Sequence, residues 1–379
     1  MSMNTKELFQ ALEFAHYAER FRDKVFVIAF PKDIPFQQLL LDIKVLVGYH
    51  IKVVLVVPDP EFKLEEIITT ANKRGTRMQL SLVTDALYQP HDGNLGIDLG
   101  KMGRVLAQGK SQVIAYHTDS PATFPIEATY SLAAEVALRL GAHKLFLIGR
   151  AAAELEEAIS RTHVTLDELD TLRERLDAAG LGHLEPVLAF IGDFLQRGIP
   201  DIVLLEGRST QLFGEVFTHD GAGILFNPAR RALIRQAKVK DTTDIALLLR
   251  PEIVAGRILP VDENTVEQNI SHFWIYEVDG LLVGVARLKL FGNWAELAHF
   301  STLPRYRGKG RARELALNMI DQARKMRTEA VFALSIDPRM WEFFQSLGFH
   351  ETPRERLPAE WQAQYDFSRP SHAFLLELR

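Results

Sequence analysis

The 379-residue chain contains no cysteine, which excludes disulfides, a thiol nucleophile and thiolate-held zinc together. It has no run of about 18 apolar residues, the length that a membrane-crossing helix requires. Its first residues, MSMNTKELFQALEF, lack the basic, apolar and small-residue order of a signal peptide. Nor is there an excess of positive charge. The 44 Lys and Arg against 49 Asp and Glu leave a net charge of -5, and a general nucleic-acid surface draws on a broad surplus of Lys and Arg. The 12 histidines are scattered, with no HExxH or comparable pair, so no metal site is expected. These absences lead us to expect a cytoplasmic protein that uses no metal and engages neither nucleic acid nor membrane.

What is present is apolar surface to bury. At 47% hydrophobic and 25% charged residues the chain can form two good cores, and its length favours roughly two or three domains. From Val25 to Ala232 short β-rich runs, KVFVIAF, IKVVLVVP, SQVIAYH, HKLFLIG and PDIVLLEG, alternate with amphipathic helical stretches. That rhythm predicts a mainly parallel sheet covered by helices, an α/β fold. The polar segment Leu233 to Thr243 reads as a connection. Beyond it come helical runs, a hairpin across Asp279-Gly280, a strand AELAHFST, a long helix RARELALNMIDQARKM, and strands AVFALSI and HAFLLELR. This part predicts an α+β domain with a mixed sheet. The expected division is 1–234 and 235–379.

One stretch departs from the overall charge. Five of the nine residues from Arg305 to Arg313 are basic, and the stretch lies between a strand and the start of a helix. Glycine and alanine at Gly308, Gly310 and Ala312 let a polyanion approach the main chain, where the free N–H groups of a helix N-terminus hold phosphate oxygens. Arg307, Lys309 and Arg311 add charge of the right sign. A second glycine motif, Gly109-Lys110-Ser111, has its upstream glycine misplaced for a P-loop and leads into a strand, so it is not read as a nucleotide site.

The run from Arg307 to Ala312 resembles the R/Q-x-x-G-x-G/A pyrophosphate loop of the GNAT acetyltransferases, and FQSLGF at Phe344 to Phe349 fits the same family. The resemblance implies acetyl-coenzyme A as cosubstrate, held by Arg307, Gly308, Lys309, Gly310, Arg311 and Ala312. Main-chain groups of Phe300, Ser301 and Thr302 would meet the oxyanion. A longer resemblance covers nearly the whole chain. An amino-acid-kinase-like domain followed by a GNAT domain is the layout of the N-acetylglutamate synthases, and QLFGEVFTHDGAGILF is similar to their LF-x-E-x-F-x-x-DG-x-G segment. The tail LPAEWQAQYDFSRPSHAFLLEL is similar to theirs as well. The resemblance implies acetyl transfer to the α-amino group of glutamate, with Glu296 as general base and Ser335 as the proton donor to the thiolate, since the position of the wider family's tyrosine reads Phe344. By strand alternation His299 is expected on the opposite face from Glu296.

The sequence also departs from that pattern. Where the synthases carry an arginine before the first GNAT strand, this chain has Val261 and Asp262, so Arg257, Arg287 or Lys289 is expected to receive the substrate carboxylate. In the first domain, Ala29-Phe30-Pro31-Lys32 and Pro58-Asp59-Pro60 stand where amino-acid kinases have glycine turns, and Pro125, Glu127 and Thr129 where they have acidic and amide residues. Proline lacks the N–H of a phosphate cradle, and no kinase activity is expected. The domain is then expected to regulate or assemble, with arginine between Tyr17 and Glu215, Gly221 and Gly223, and with self-association into a homo-oligomer. Two other functions fit the residues: an acetyltransferase for another small amine, and a silent subunit that senses arginine or acetyl-coenzyme A.

Overall fold

The computed structural model describes residues 5–31, 34, 39–58, 64–73, 75–84, 97–117, 126–159, 162–218, 221–228, 232–278, 281–308 and 310–378. Lys32, Asp59, Pro60, Pro125, the Asp279-Gly280 turn and Lys309 lie outside them. The chain divides into two compact units, one of Glu13–Ala229 and one built on Arg230–Arg379.

The first unit has one sheet of β1 (Val25–Ala29), β2 (Lys52–Pro58), β3 (Met78–Thr84), β4 (Ser111–His117), β5 (Lys144–Ile148), β6 (His163–Thr165), β7 (Ile202–Leu205) and β8 (Ile224–Asn227). Their spatial order is β3-β4-β2-β1-β5-β7-β8-β6, parallel throughout except between β7 and β8. The central strands β1, β2, β5 and β7 are buried on both faces, which is why they read as continuous Val, Ile and Leu runs. β3, β6 and β8 escape the sequence reading because polar residues interrupt them or they are too short. Gly109-Lys110-Ser111 leads into β4. The turn after β1 is packed with side chains. Phe30 and Pro31 are buried, the Phe30 N–H donates to the Val56 carbonyl at 2.9 Å, and the Phe30 carbonyl accepts from Thr129 Oγ1 at 2.6 Å. Main-chain groups that a phosphate would need are thus engaged within the protein.

The second unit has one sheet of β9 (Ala232–Gln236), β10 (Phe273–Val278), β11 (Leu281–Phe291), β12 (Trp294–Thr302), β13 (Ala330–Ser335), β14 (His350–Thr352) and β15 (His372–Glu377). The order is β14-β15-β13-β12-β11-β10-β9, antiparallel except for the β12–β13 pair. Leu233 to Gln236, read as connection, is instead part of edge strand β9, paired with β10 from Trp274↔Gln236 to Val278↔Ala232. Its pattern is largely exposed, so it carries no burial signal.

Helices cover both faces of this sheet. Ser301 donates to the Leu248 carbonyl of helix Thr242–Val254 at 2.9 Å. Tyr276, one position out of step in the ladder, donates to Glu314 of helix Arg311–Lys325 at 2.6 Å on the other face. Among the described residues no helix is long and apolar enough to cross a membrane.

Candidate active site

β12 pairs with β13 at only three positions, the last being Glu296↔Phe332. β12 nevertheless continues to Thr302 and β13 to Ser335, so the parallel strands part beyond Glu296. A cleft of about 270 Å³ opens there, with Leu297 to Thr302 on one wall and Leu334, Ser335 and Phe343 on the other. Parting strands leave main-chain groups without ladder partners, which makes them available to a ligand.

A second break lies in the same strand. Val285 pairs with Ser301 and Arg287 with Ala298, so His299 and Phe300 together face the single residue Ala286. His299 takes φ 56°. This β-bulge releases ladder hydrogen bonding locally and re-aims side chains. The expected alternation therefore fails. Arg287 and Phe273 are direct pair partners and share a face, and the His299 ring lies 6.2 Å from the Phe273 ring. Lys289 pairs with Glu296 and is two residues from Arg287, hence on that face as well. His299 and Glu296 thus belong to the same face of the sheet, contrary to the alternation argument, because His299 is itself one of the two bulged residues and its positive φ turns its side chain out of the regular alternation.

The Glu296 carboxyl is enclosed. Burial pushes its pKa above the ordinary carboxylate value, opposed by a hydrogen bond from Trp361 and by the positive charges of Arg287 and Lys289. Trp361 Nε1 donates to Glu296 Oε1 at 3.0 Å, and its indole stacks 4.3 Å from Tyr365. Burial, with Arg287 adding to it, holds His299 down at about 3, so its ring is neutral at neutral pH.

Across the cleft, Ser335 Oγ accepts the Asp337 N–H at 3.0 Å, and the Ser335 carbonyl accepts Trp341 Nε1 at 3.0 Å. The hydroxyl is anchored as an acceptor, and its proton is directed elsewhere. Phe344 is buried against Phe349 and Phe374.

The basic turn sits at the mouth. Gly310, at φ 74°, is the N-cap of helix Arg311–Lys325 and supplies no side-chain cap, leaving the helix's first N–H groups for a ligand. A Cβ at Gly308 or Gly310 would meet nothing within 4 Å. Two of the arginines brace the turn instead of projecting from it. Arg307 donates to the Thr302 carbonyl at 3.0 Å and to Glu252 at 3.1 Å, while Arg311 donates to the Tyr306 carbonyl at 2.9 Å and lies over its ring. Phe300 packs on Phe343. The Ser301 hydroxyl is spent on Leu248, and Thr302 and Ala312 line the cleft.

The three basic candidates for the acceptor differ in their surroundings. Arg257 is ion-paired with Glu252 at 2.5 Å. Lys289 donates to Gln364 at 3.2 Å and lies over the Phe291 ring. Arg287 Nε is buried without a hydrogen-bond partner. Sequence reasoning missed Glu252 and Trp361. Each acts on a residue far along the chain, and no local pattern marks either one.

In the first unit, helix Thr5–Arg20 packs on helix Gln211–Phe217 through Phe14, whose ring lies 5.7 Å from Phe213 and 4.6 Å from Phe217. Tyr17 is buried in the same cluster. The Glu215 carboxylate accepts N–H groups from Ala222 at 2.9 Å and Gly223 at 3.1 Å, and Lys144 Nζ stands 3.8 Å from it. Gly221 takes φ 63°, and a Cβ on Gly223 would fall 2.5 Å from the Leu204 carbonyl oxygen. Among the described residues no group of three or more His, Asp or Glu side chains is placed to hold a metal ion.

Residues 244–349 match the Acetyltransferase (GNAT) family. The amino-acid acetyltransferase of Neisseria meningitidis serogroup B is 30% identical over 69% of this chain and 60% of its own length. That of Azotobacter vinelandii is 28% identical over 65% of this chain and 57% of its own length, and that of Pseudomonas putida 25% over 83% and 75%. The chain therefore spans about 60% of the length of the first of these curated relatives. Among solved structures, N-acetylglutamate synthase from Neisseria gonorrhoeae, complexed with coenzyme A and L-arginine, superposes with a TM-score of 0.58 at 23% identity, covering 98% of this chain and 99% of that one. The two share a two-domain fold.

Proposed function

Residues 244–349 form a GNAT acetyltransferase domain, and most of the chain is homologous to amino-acid acetyltransferases; from that premise we propose that the protein transfers acetyl from acetyl-coenzyme A to the α-amino group of L-glutamate. The observation that carries the proposal is the placing of Glu296, a buried carboxyl with a raised pKa, as the last residue that β12 pairs with β13 before the cleft.

In this reading the pantetheine enters between the parted strands, and the pyrophosphate rests on the N–H groups that follow Gly310. Glu296 takes a proton from the acceptor's ammonium group. The raised pKa suits it to that task, because a base is most effective when its pKa lies near the working pH. The freed amine nitrogen bonds to the thioester carbonyl carbon, and main-chain N–H groups at the His299–Phe300 bulge receive the oxyanion. The carbon–sulfur bond then breaks. Ser335 gives its hydroxyl proton to the departing thiolate and takes back, through water in the cleft, the second proton that the new amide nitrogen sheds, while the proton on Glu296 passes to solvent.

The effector arm of the proposal is arginine, seated where helix Thr5–Arg20 meets the Glu215 turn. Saturating arginine should raise the melting temperature of the wild-type chain and leave that of Glu215→Gln unmoved; no shift in the wild type removes the effector. For the reaction itself, thiol release from acetyl-coenzyme A is measured against each of the twenty amino acids. Turnover with glutamate supports the assignment, and turnover confined to another amine discards glutamate.

A further inference from the structure

Three ring or guanidinium nitrogens are buried without hydrogen-bond partners on neighbouring elements of the second unit: His272 Nδ1, Arg287 Nε and His299 Nδ1. The elements bring them together. His272 directly precedes β10, whose first residue, Phe273, pairs with Arg287. Arg287 pairs on its other side with Ala298, next to the bulged His299, and the His299 ring packs on Phe273. A buried donor left unmet costs on the order of 1–3 kcal/mol, more when charged. Arg287 Nε is a donor in every state, and each of the neutral rings that feel its charge can turn one N–H to the same place, so the three together describe a receptor for an anion that is not part of the chain.

The neighbouring acid does not fill that role. The carboxylate whose charge Arg287 feels is Glu296, and Glu296 Oε1 already accepts the Trp361 indole N–H. The other cations near the cleft are engaged: Arg257 and Arg307 with Glu252, Arg339 with Asp337. Access exists from the right side. Ala298 and His299 both line the cleft, and Ala298, a small residue, is the direct ladder partner of Arg287, so the guanidinium lies beside the cleft wall.

Position along the strand says which carboxylate would arrive there. Lys289 faces Glu296 across the ladder and Arg287 faces Ala298, so the two cations are two residues apart on one face, a separation of roughly 6.5–7 Å. An amine delivered to Glu296 would lie nearest Lys289, which faces that carboxyl across the ladder. The site at Arg287 lies one side-chain length farther.

We propose that Arg287, flanked by His272 and His299, receives the side-chain carboxylate of the acceptor amino acid and so selects acidic acceptors. The inference rests on the amino-acid acetyltransferase reading. Arg287 replaces, from within the sheet, a cation that the segment containing Val261 and Asp262 does not supply. A planar guanidinium binds a carboxylate through two parallel hydrogen bonds, which neither a histidine nor a lysine reproduces.

The test uses the full chain and two readouts. In turnover, Arg287→Gln should raise the KM for glutamate roughly 100-fold and abolish the preference for glutamate over glutamine, while the KM for acetyl-coenzyme A stays unchanged. Arg287→Lys should keep part of the preference. In melting, glutarate, which has the carboxylates but no amine, should stabilise the wild type and not Arg287→Gln. An Arg287→Gln enzyme with wild-type KM and wild-type glutamate preference overturns the assignment, as does glutarate protection that survives the substitution. Glutarate protection that depends on Arg287, in a chain that acetylates no amino acid, upholds the carboxylate site and overturns acetyl transfer instead.

Discussion

The indole nitrogen of Trp361 donates to the Glu296 carboxylate across 3.0 Å, joining two residues whose separation in sequence is 65. One end of Glu296 is thereby held by a single uncharged donor in a buried setting. A hydrogen bond to the charged form lowers a pKa that burial raises, so Trp361 tunes this carboxyl as well as aiming it.

Replacing Trp361 by phenylalanine keeps most of the ring packing and removes only the donor. The Glu296 pKa should rise further, and the acid limb of the kcat/KM profile should move to higher pH. A profile that falls in height without moving would mean that Trp361 serves packing alone.

Glu296→Gln removes the proposed base and preserves the shape. Turnover should drop by roughly 10²- to 10⁴-fold, the usual contribution of a positioned acid or base, with coenzyme A binding intact by calorimetry. Wild-type turnover in that variant would remove Glu296 from the reaction.

Gly310→Ala separates the ligand's need from the backbone's. At φ 74° an alanine is strained by about 1–2 kcal/mol, and its methyl would point into space that the protein leaves open. The KM for acetyl-coenzyme A should rise well beyond what the strain explains. Gly141→Ala, at the left-handed C-cap of helix Ala128–Leu140, is the control, expected to lower the melting temperature with no change in that KM.

Acid should weaken the fold through two half-buried histidines. His299 is held at about 3 and His143 at about 4, both chiefly by burial, against about 6.5 in the unfolded chain. Protons therefore bind the unfolded state first as pH falls below that value, and stability declines across the window down to the folded pKa values. His299→Asn, whose side chain tolerates positive φ, should flatten part of the decline in melting temperature between about pH 7 and about pH 5. An unchanged slope would show that His299 is titrating freely.

What the sequence makes legible of the candidate site is what chemistry confines to a short stretch. The glycines and basic residues from Arg307 to Ala312 mark a strand-to-helix turn at the cleft, and Glu296 falls on the strand that opens it. His299 was misplaced because a bulge is one extra residue in a ladder, and nothing in AELAHFST marks it. Trp361 and Glu252 were missed because their partners are distant in sequence. Lone basic residues such as Arg257 and Arg287 look alike in sequence, and only burial and pairing tell the engaged one from the one left open.

Edge strand β9 begins at Ala232, whereas the stretch shared with the acetyltransferase family begins at residue 244. A fragment cut at the family boundary would strip β10 of its neighbour and leave a row of main-chain groups open to a second molecule, a recipe for aggregation. The stretch shared with the family and the stretch that completes the sheet thus have different first residues. Anyone isolating the second unit should cut upstream of Ala232, and a comparison of solubility between the two cuts would measure what that one exposed strand contributes.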